Sequence, residues 1–339
     1  MNDVTALDER SLEKMLSTPY QATKQTLAGM QGEIAILGAG GKMGPTLAMM
    51  LKKAVPERNI YAVSRFSDNA VRTKLEQEGI TTVAADLLDE AQYRKLPNVE
   101  NLFFLAGMKF GASGDLPLTW AQNCHIPALV ARHYSNSRIV AFSTGNVYPF
   151  VDIRSGGATE DTLPEPVGEY AQSCLGRERM FQYFSEIHDT PVTIIRLNYA
   201  NEPRYGIIVD LTLKILNDQP IDLTMGAVNL IWQRDANDYI IRSVTMAQSP
   251  PAILNVTGPE TIAIRSLAGK IGNLLGKEPK FVSRESFSAL LSDASRCIGL
   301  FGSPQTTLDQ MVSVIVEWVK AGKEVLNKPT KYDVRNGKF

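Results

Sequence analysis

The chain has 339 residues, 44% hydrophobic and 21% charged, with a formal net charge of -1. It is long enough for a large core, and its near-neutral balance gives no electrostatic case for a nucleic acid or an anionic membrane as partner. The acidic start Met1-Asn2-Asp3-Val4 lacks signal-peptide order, no apolar run approaches a membrane span, and neither the three cysteines (Cys124, Cys174, Cys297) nor the three histidines have ligand or disulfide spacing, so a cytoplasmic protein without a metal is expected.

Residues 1–31 precede the first strand. Leu7, Leu12, Met15 and Leu16 recur with helical spacing, Pro19 breaks the segment, and a second short helix reaches Gly29. This N-terminal extension is expected to pack on the surface or on a partner subunit. The apolar strand Ile34–Leu37 then stops at a glycine cluster, and Pro45 suits the first turn of a helix over 45–55. Backbone at Gly38, Gly41, Lys42, Met43 and Gly44 could pass close to a pyrophosphate, whose charge a helix N-terminus favours. The alternative is an ordinary strand-to-helix turn.

Further strands are read at Ile60–Val63, Thr82–Ala84, Leu102–Leu105, Ile139–Phe142 and Val192–Leu197, with helices near 68–78, 89–95, 119–134 and 169–187. This alternation predicts an α/β protein with a doubly wound parallel sheet, a Rossmann fold, whose ligands bind beyond the C-terminal ends of the strands. Ser64 and Arg65 follow the second strand; an arginine there suits the 2′-phosphate of NADP, and otherwise is a solvated loop charge. Asp86, before Leu87, could accept from an adenine amino group or cap the next helix, for which Asp89 is better placed. Small residues in Leu105-Ala106-Gly107 would admit a flat ring. The fifth strand ends in Ser143-Thr144, hydroxyls that suit either a reacting oxygen or a plain turn. Tyr170 and Cys174 lie one turn apart at the start of a long helix and share a face.

Beyond Leu197 the alternation loosens. A helix near 207–217 precedes the edge-like run Ile221-Asp222-Leu223, residues 230–235 lead into a helix, Ile253–Val256 is a late strand of the sheet, and helices near 264–275 and 306–321 are followed by a tail with Pro329 and Gly337. The expected division is a dinucleotide-binding domain over 32–198 and, over 199–339, mainly a smaller substrate lobe from which late strands return to the sheet.

Taken together these residues resemble the extended short-chain dehydrogenase/reductase family, the NAD(P)-dependent epimerase/dehydratase group, from about 32 to 322. Gly38, Gly41 and Gly44 meet its G-x-x-G-x-x-G spacing, Asp86 its adenine-side acid, and Leu105-Ala106-Gly107 its segment beside the nicotinamide ribose. Thr144 matches its catalytic Ser/Thr, Tyr170 its catalytic tyrosine and Asn123 its structural asparagine; Asp235 and Asn255 fit its C-terminal pattern. The resemblance implies an NAD(P) cofactor, with NADP favoured because of Arg65, a small carbohydrate or sugar acid as substrate, and a homodimer through helices 119–134 and 169–187.

Two positions depart from the family. Its Tyr-x-x-x-Lys motif is Tyr170-x-x-x-Cys174 here, and the missing lysine normally favours ionised tyrosine. A free tyrosine titrates at about 10, so roughly one in a thousand is ionised at pH 7, and a poised base needs about three units, roughly 4 kcal/mol, that a thiol does not supply. Lys109 is the expected substitute cation, with Arg177 less well placed; otherwise Tyr170 only donates a hydrogen bond, or the protein binds cofactor without turnover. The second departure is Val228, which falls where nucleotide-sugar enzymes carry an arginine, leaving Arg234 out of phase. An oxidoreductase or epimerase of a small carbohydrate is therefore expected, with a non-catalytic NAD(P)-binding sensor as the alternative.

Overall fold

The computed structural model describes residues 7–338 apart from Phe110 and Ser113. Seven parallel strands form the central sheet: β1 (Ile34–Leu37), β2 (Ile60–Ser64), β3 (Thr81–Ala84), β4 (Asn101–Phe104), β5 (Arg138–Thr144), β6 (Val192–Leu197) and β7 (Ala252–Val256), in the order β7-β6-β5-β4-β1-β2-β3. Ile34 of β1 registers with Ile60 on one side and Asn101 on the other. The chain thus leaves β1 in one direction through β2 and returns on its other flank at β4. Loops after β1 and β4 diverge there, which opens a crevice at the C-terminal ends of the strands.

Strand period places alternate residues on opposite faces. Ile34 and Ile36 join one apolar layer with Leu27, Leu47, Met50 and Ile240, whereas Ala35 and Leu37 join the other with Leu129, Val130 and Phe181. The helices supplying these layers are α1 (Glu9–Ser17), α2 (Gln21–Ala28), α3 (Gly44–Ala54), α4 (Asn69–Gln77), α5 (Leu116–Trp120), α6 (Ile126–His133), α7 (Glu169–His188), α8 (Ile207–Leu216), α9 (Gln233–Arg242), α10 (Ile264–Leu275), α11 (Ser295–Phe301) and α12 (Leu308–Lys320). Residues of α8, α10 and α12 enclose a separate C-terminal core that includes Ile208, Leu211, Ile271 and Ile315.

Four differences from the expected elements have local causes. Residues Glu90–Lys95 form a 3₁₀ turn capped by Asp89, whose carboxylate accepts from the Ala91 N–H at 3.0 Å. The helix expected over 119–134 begins at Leu116 and contains a π-helical stretch, Ala121–His125, that turns Asn123 inward. The N-terminal helices keep one face exposed and pack with the other into both cores: Leu12 and Leu16 are fully buried in the C-terminal core, and Leu27 in the sheet core. The Tyr20 hydroxyl donates to Asp235 at 2.6 Å, and Arg234 Nε donates to the Thr18 carbonyl at 2.7 Å. Finally, the C-terminal segment is packed rather than a tail. Thr330 and Tyr332 are buried, and both the N–H and the hydroxyl of Thr330 donate to Asp210 of α8, at 2.8 and 2.5 Å.

Candidate functional site

The glycine turn is built by two close approaches. Gly38 has φ +88°, and a Cβ there would stand 2.5 Å from the Ala106 nitrogen, so this position needs glycine both for its backbone conformation and to let β1 and the loop after β4 meet. At Gly44 a Cβ would collide with the Ala39 carbonyl, because the first turn of α3 packs directly on the turn it leaves. Met43 stands at the N-cap with no side-chain cap bond and Pro45 occupies the first turn, so no side chain satisfies the leading N–H groups of α3. A pyrophosphate fits that cradle.

Arg65 is exposed at the end of β2 and forms no ion pair or hydrogen bond with any described residue. Ser64 lies beside the turn, its hydroxyl 2.7 Å from where a Gly40 Cβ would be. The Asp86 carboxylate accepts from the Leu88 N–H at 3.0 Å in a tight turn ahead of buried Leu87, and the capping role falls to Asp89.

A cavity of about 220 Å³ runs from the turn to the ends of β4, β5 and β6. Gly38, Gly41, Lys42, Met43, Gly44, Leu105, Lys109, Thr144 and Tyr170 line it and bring the two halves of the candidate site together, with Phe142, Asn146 and Asn198 between them, whereas Cys174 lies behind Tyr170 and does not line it. The Tyr170 hydroxyl is within hydrogen-bonding reach of Thr144 and Cys174. Burial holds the Tyr170 phenol well above its ordinary value; the adjoining Cys174 adds to the shift and Arg177 opposes it. Cys174 is fully buried with Val147, Tyr148 and Ala158. Burial also raises its thiol, against the opposing pull of Arg177. Both groups of the Tyr-x-x-x-Cys pair are therefore neutral near pH 7.

Arg177 is not a free cation for Tyr170. Its Nη1 donates to the Phe142 carbonyl at 2.9 Å and its Nη2 to Asn123 Oδ1 at 2.6 Å. Asn123 in turn accepts from the Met108 N–H at 2.8 Å and donates to the Met108 carbonyl at 2.9 Å, which fixes the loop after β4. A Cβ on Gly107 would strike this guanidinium, so the loop and Arg177 are fitted to each other. Lys109 follows in the same loop. Burial lowers its ammonium to about 8, with Asp210 and Cys174 opposing.

Lys42 was expected only to lend its backbone. Its side chain instead crosses the cleft, donating to the Ala200 carbonyl at 2.7 Å and standing 3.9 Å from the centroid of the Tyr205 ring. Although its stem is only half-buried, the enclosed ammonium is lowered by desolvation to about 7, with Glu202 opposing and Lys109 adding. The cavity thus carries two lysines of weakened charge. Val228 is fully buried, paired with Ile262, and Arg234 stacks on Tyr20 at 3.8 Å, so neither position puts a cation in the cleft.

Behind the site lies a buried network with no obvious sequence signal. Ser143 donates to Glu178 at 2.5 Å, Arg196 pairs with Glu178 at 2.7 Å and lies 4.7 Å from the Tyr148 ring centroid, and the Tyr148 hydroxyl donates to Asn255 at 2.8 Å. It ties β5, β6, β7 and α7 together beside Thr144. Asp235 is likewise structural, accepting from Tyr20 and, at 3.0 Å, from the Thr306 N–H. Thr330, from the C-terminal segment, lines the cavity and was not anticipated.

Among known proteins, the model of the "NAD dependent epimerase/dehydratase family" matches residues 34–221. No curated protein matches the chain in sequence. Solved structures with the same fold include MoeE5 in complex with UDP-glucose and NAD, at 19% identity and a TM-score of 0.71, covering 86% of this chain and 99% of that one. They also include Pal from Bacillus thuringiensis, at 18% identity and a TM-score of 0.73, covering 86% of this chain and 100% of that one. The UDP-glucuronic acid 4-epimerase from Bacillus cereus, in complex with UDP-glucuronic acid and NAD, superposes at 18% identity and a TM-score of 0.71, covering 85% and 99%. With the family model spanning more than half of the chain, and with the seven-stranded parallel sheet as its frame, this protein belongs to the NAD-dependent epimerase/dehydratase family of extended short-chain dehydrogenases/reductases and is an epimerase-like oxidoreductase.

Proposed function

We propose that the protein holds a nicotinamide dinucleotide along Gly38–Gly44 and interconverts hydroxyl and carbonyl at one carbon of a carbohydrate, with Thr144 and Tyr170 acting on the oxygen. The observation that carries this reading is that Thr144 and Tyr170 reach the same cavity as the glycine turn. Bound there, the nicotinamide supplies hydride exchange with the substrate carbon. Thr144 orients the substrate oxygen. Tyr170, neutral at pH 7, donates its proton to that oxygen during reduction; in oxidation the proton must leave, and Lys109, neutral above about 8, is a base that the cavity offers, as is Lys42, neutral above about 7.

The relatives solved with UDP-sugars favour a carbohydrate substrate. Buried Val228 supplies no cation for a diphosphate, which favours a sugar acid or small sugar derivative over a nucleotide sugar. Purified protein incubated with NAD or NADP and a panel of sugar acids, free hexoses and UDP-sugars is expected to yield the reduced cofactor or a new epimer with at least one of them. Cofactor binding without reaction across the panel would instead favour the sensor reading, which buried Cys174 motivates. In that case Cys174→Lys would change cofactor affinity more than any rate.

Exposed, unpaired Arg65 suits a 2′-phosphate, so we assign NADP(H) as the tighter-bound cofactor. A charge-assisted bond of this kind contributes roughly 1.5–3 kcal/mol, about tenfold or more in affinity. Arg65→Ala should erase the preference while leaving NAD(H) affinity unchanged, measured by fluorescence titration; equal wild-type affinities would reduce Arg65 to a surface charge. Three free cysteines fit a reducing compartment, and we place the protein in the cytoplasm. Exposed Leu116, Leu118, Tyr183 and Ile187 on α5 and α7 favour a homodimer through those helices. Ile187→Glu is then expected to give a monomer by light scattering, and an unchanged dimer would move the interface elsewhere.

A further inference from the structure

Beside the main cleft lies a second cavity, of about 240 Å³, lined by Lys109, Gly111 and the C-terminal residues 327–331. The two cavities share Lys109 and Thr330, whereas no residue of the glycine turn reaches the second one. Three lysines line it (Lys109, Lys328 and Lys331) and no carboxylate does. Neither Lys109 nor Lys331 forms an ion pair with a described residue. Like charges gathered at one cavity repel, and here the Lys331 ammonium lowers the pKa of Lys109 while burial does so more strongly. Asp210 opposes that shift of Lys109 more strongly than Lys331 adds to it, while also accepting two hydrogen bonds from Thr330, and Asp333 pairs with Lys214 at 3.0 Å.

The segment is held for this placement. Thr330 is pinned to Asp210, Tyr332 is buried, and Arg335 donates to the Ser288 carbonyl at 2.7 Å. Asn327 and Lys331 both have left-handed φ, +50° and +55°, a conformation that lysine adopts at a cost. The left-handed backbone is thus kept at an exposed lysine that lines the cavity, which points to use rather than to packing.

We propose that Lys328 and Lys331 form a subsite for an oxyanion of the substrate, a carboxylate or a phosphate, so that the substrate is an acidic sugar. The proposal rests on the carbohydrate reading above and sharpens it. The C-terminal segment, through Lys328 and Lys331, takes over the cationic role that Val228 cannot fill, and Thr330 joins the oxyanion subsite to the cavity that holds Tyr170.

Calorimetric titration of the NADH-loaded protein with glucuronate, glucose 1-phosphate and glucose tests this directly. At least one anion should bind about tenfold or more tightly than glucose, with an affinity that falls as salt is added. Glucuronate and glucose 1-phosphate separate the carboxylate from the phosphate. Lys331→Gly removes the charge while relieving the left-handed backbone, so it should weaken the anion about tenfold without lowering the thermal midpoint or the NADH affinity. Lys331→Arg should retain binding. Equal affinity for all three sugars, no binding of either anion, or an unaltered anion affinity in Lys331→Gly would overturn the subsite. The same titrations on cofactor-free protein keep the two readings apart, because loss of NADH binding would overturn the dinucleotide site and leave the anion measurement intact.

Discussion

Tyr170→Phe is expected to lower turnover by about 10²–10⁴-fold, the range of a positioned proton-transfer group, while leaving cofactor affinity essentially unchanged. The phenol is within hydrogen-bonding reach of Thr144, and burial keeps it protonated at neutral pH. Removing the hydroxyl leaves the ring, and with it the packing against the cluster of Val147, Tyr148, Ala158 and Cys174. Single-turnover measurements with NADH and with NAD should both show the loss. A variant that turns over normally would remove Tyr170 from the chemistry. The pH profile adds a signed expectation: oxidation needs a base, so its rate should rise as pH rises through about 8, where the lowered Lys109 ammonium becomes neutral, and level off above. Lys109→Gln should flatten that limb. A family lysine in place of Cys174 would work the other way, by charge on the tyrosine rather than by accepting its proton.

The sheet and glycine turn were legible because they depend on local pattern. Ile34–Leu37, Val192–Leu197 and the helix from Ile264 to Leu275 are each signalled by contiguous apolar spacing, and their bounds agree with the structure. Asn123 and the role expected of Tyr170 came only from the resemblance to the family, not from local pattern. The direction taken by the Lys42 side chain was not legible, since it depends on the Ala200 carbonyl and the Tyr205 ring, more than 150 residues away in the chain. The same holds for Thr330 and Lys331. Pro329 and Gly337 suggested a tail because turn residues carry no period, yet Asp210 on α8 holds that segment in place. The burial of α1 was missed for a related reason: its short apolar stripe does not reveal which core will accept Leu12 and Leu16.

Glu178→Ala is expected to destabilise the fold by about 3–5 kcal/mol, because it leaves the Arg196 guanidinium buried without its counterion. The pair is almost wholly enclosed, with side-chain exposures of 3% for Arg196 and 0% for Glu178, and both carboxylate oxygens accept from the guanidinium. Arg196 Nη1 has no other partner among the described residues, so nothing nearby can compensate. Replacing both residues with apolar ones of similar size, as in Glu178→Leu with Arg196→Met, should recover most of that stability, since the desolvation penalty disappears along with the attraction. Reversible denaturation of the parent, the single and the double variants gives the comparison. Turnover should not recover with stability, however, because Glu178 also accepts from Ser143, the residue that precedes Thr144 at the end of β5. A double variant that is stable but slow, and that still binds NADH, would locate the role of the pair in holding that strand end against Tyr170. A double variant with full activity would show instead that the ion pair only fills the space between β5, β6 and α7.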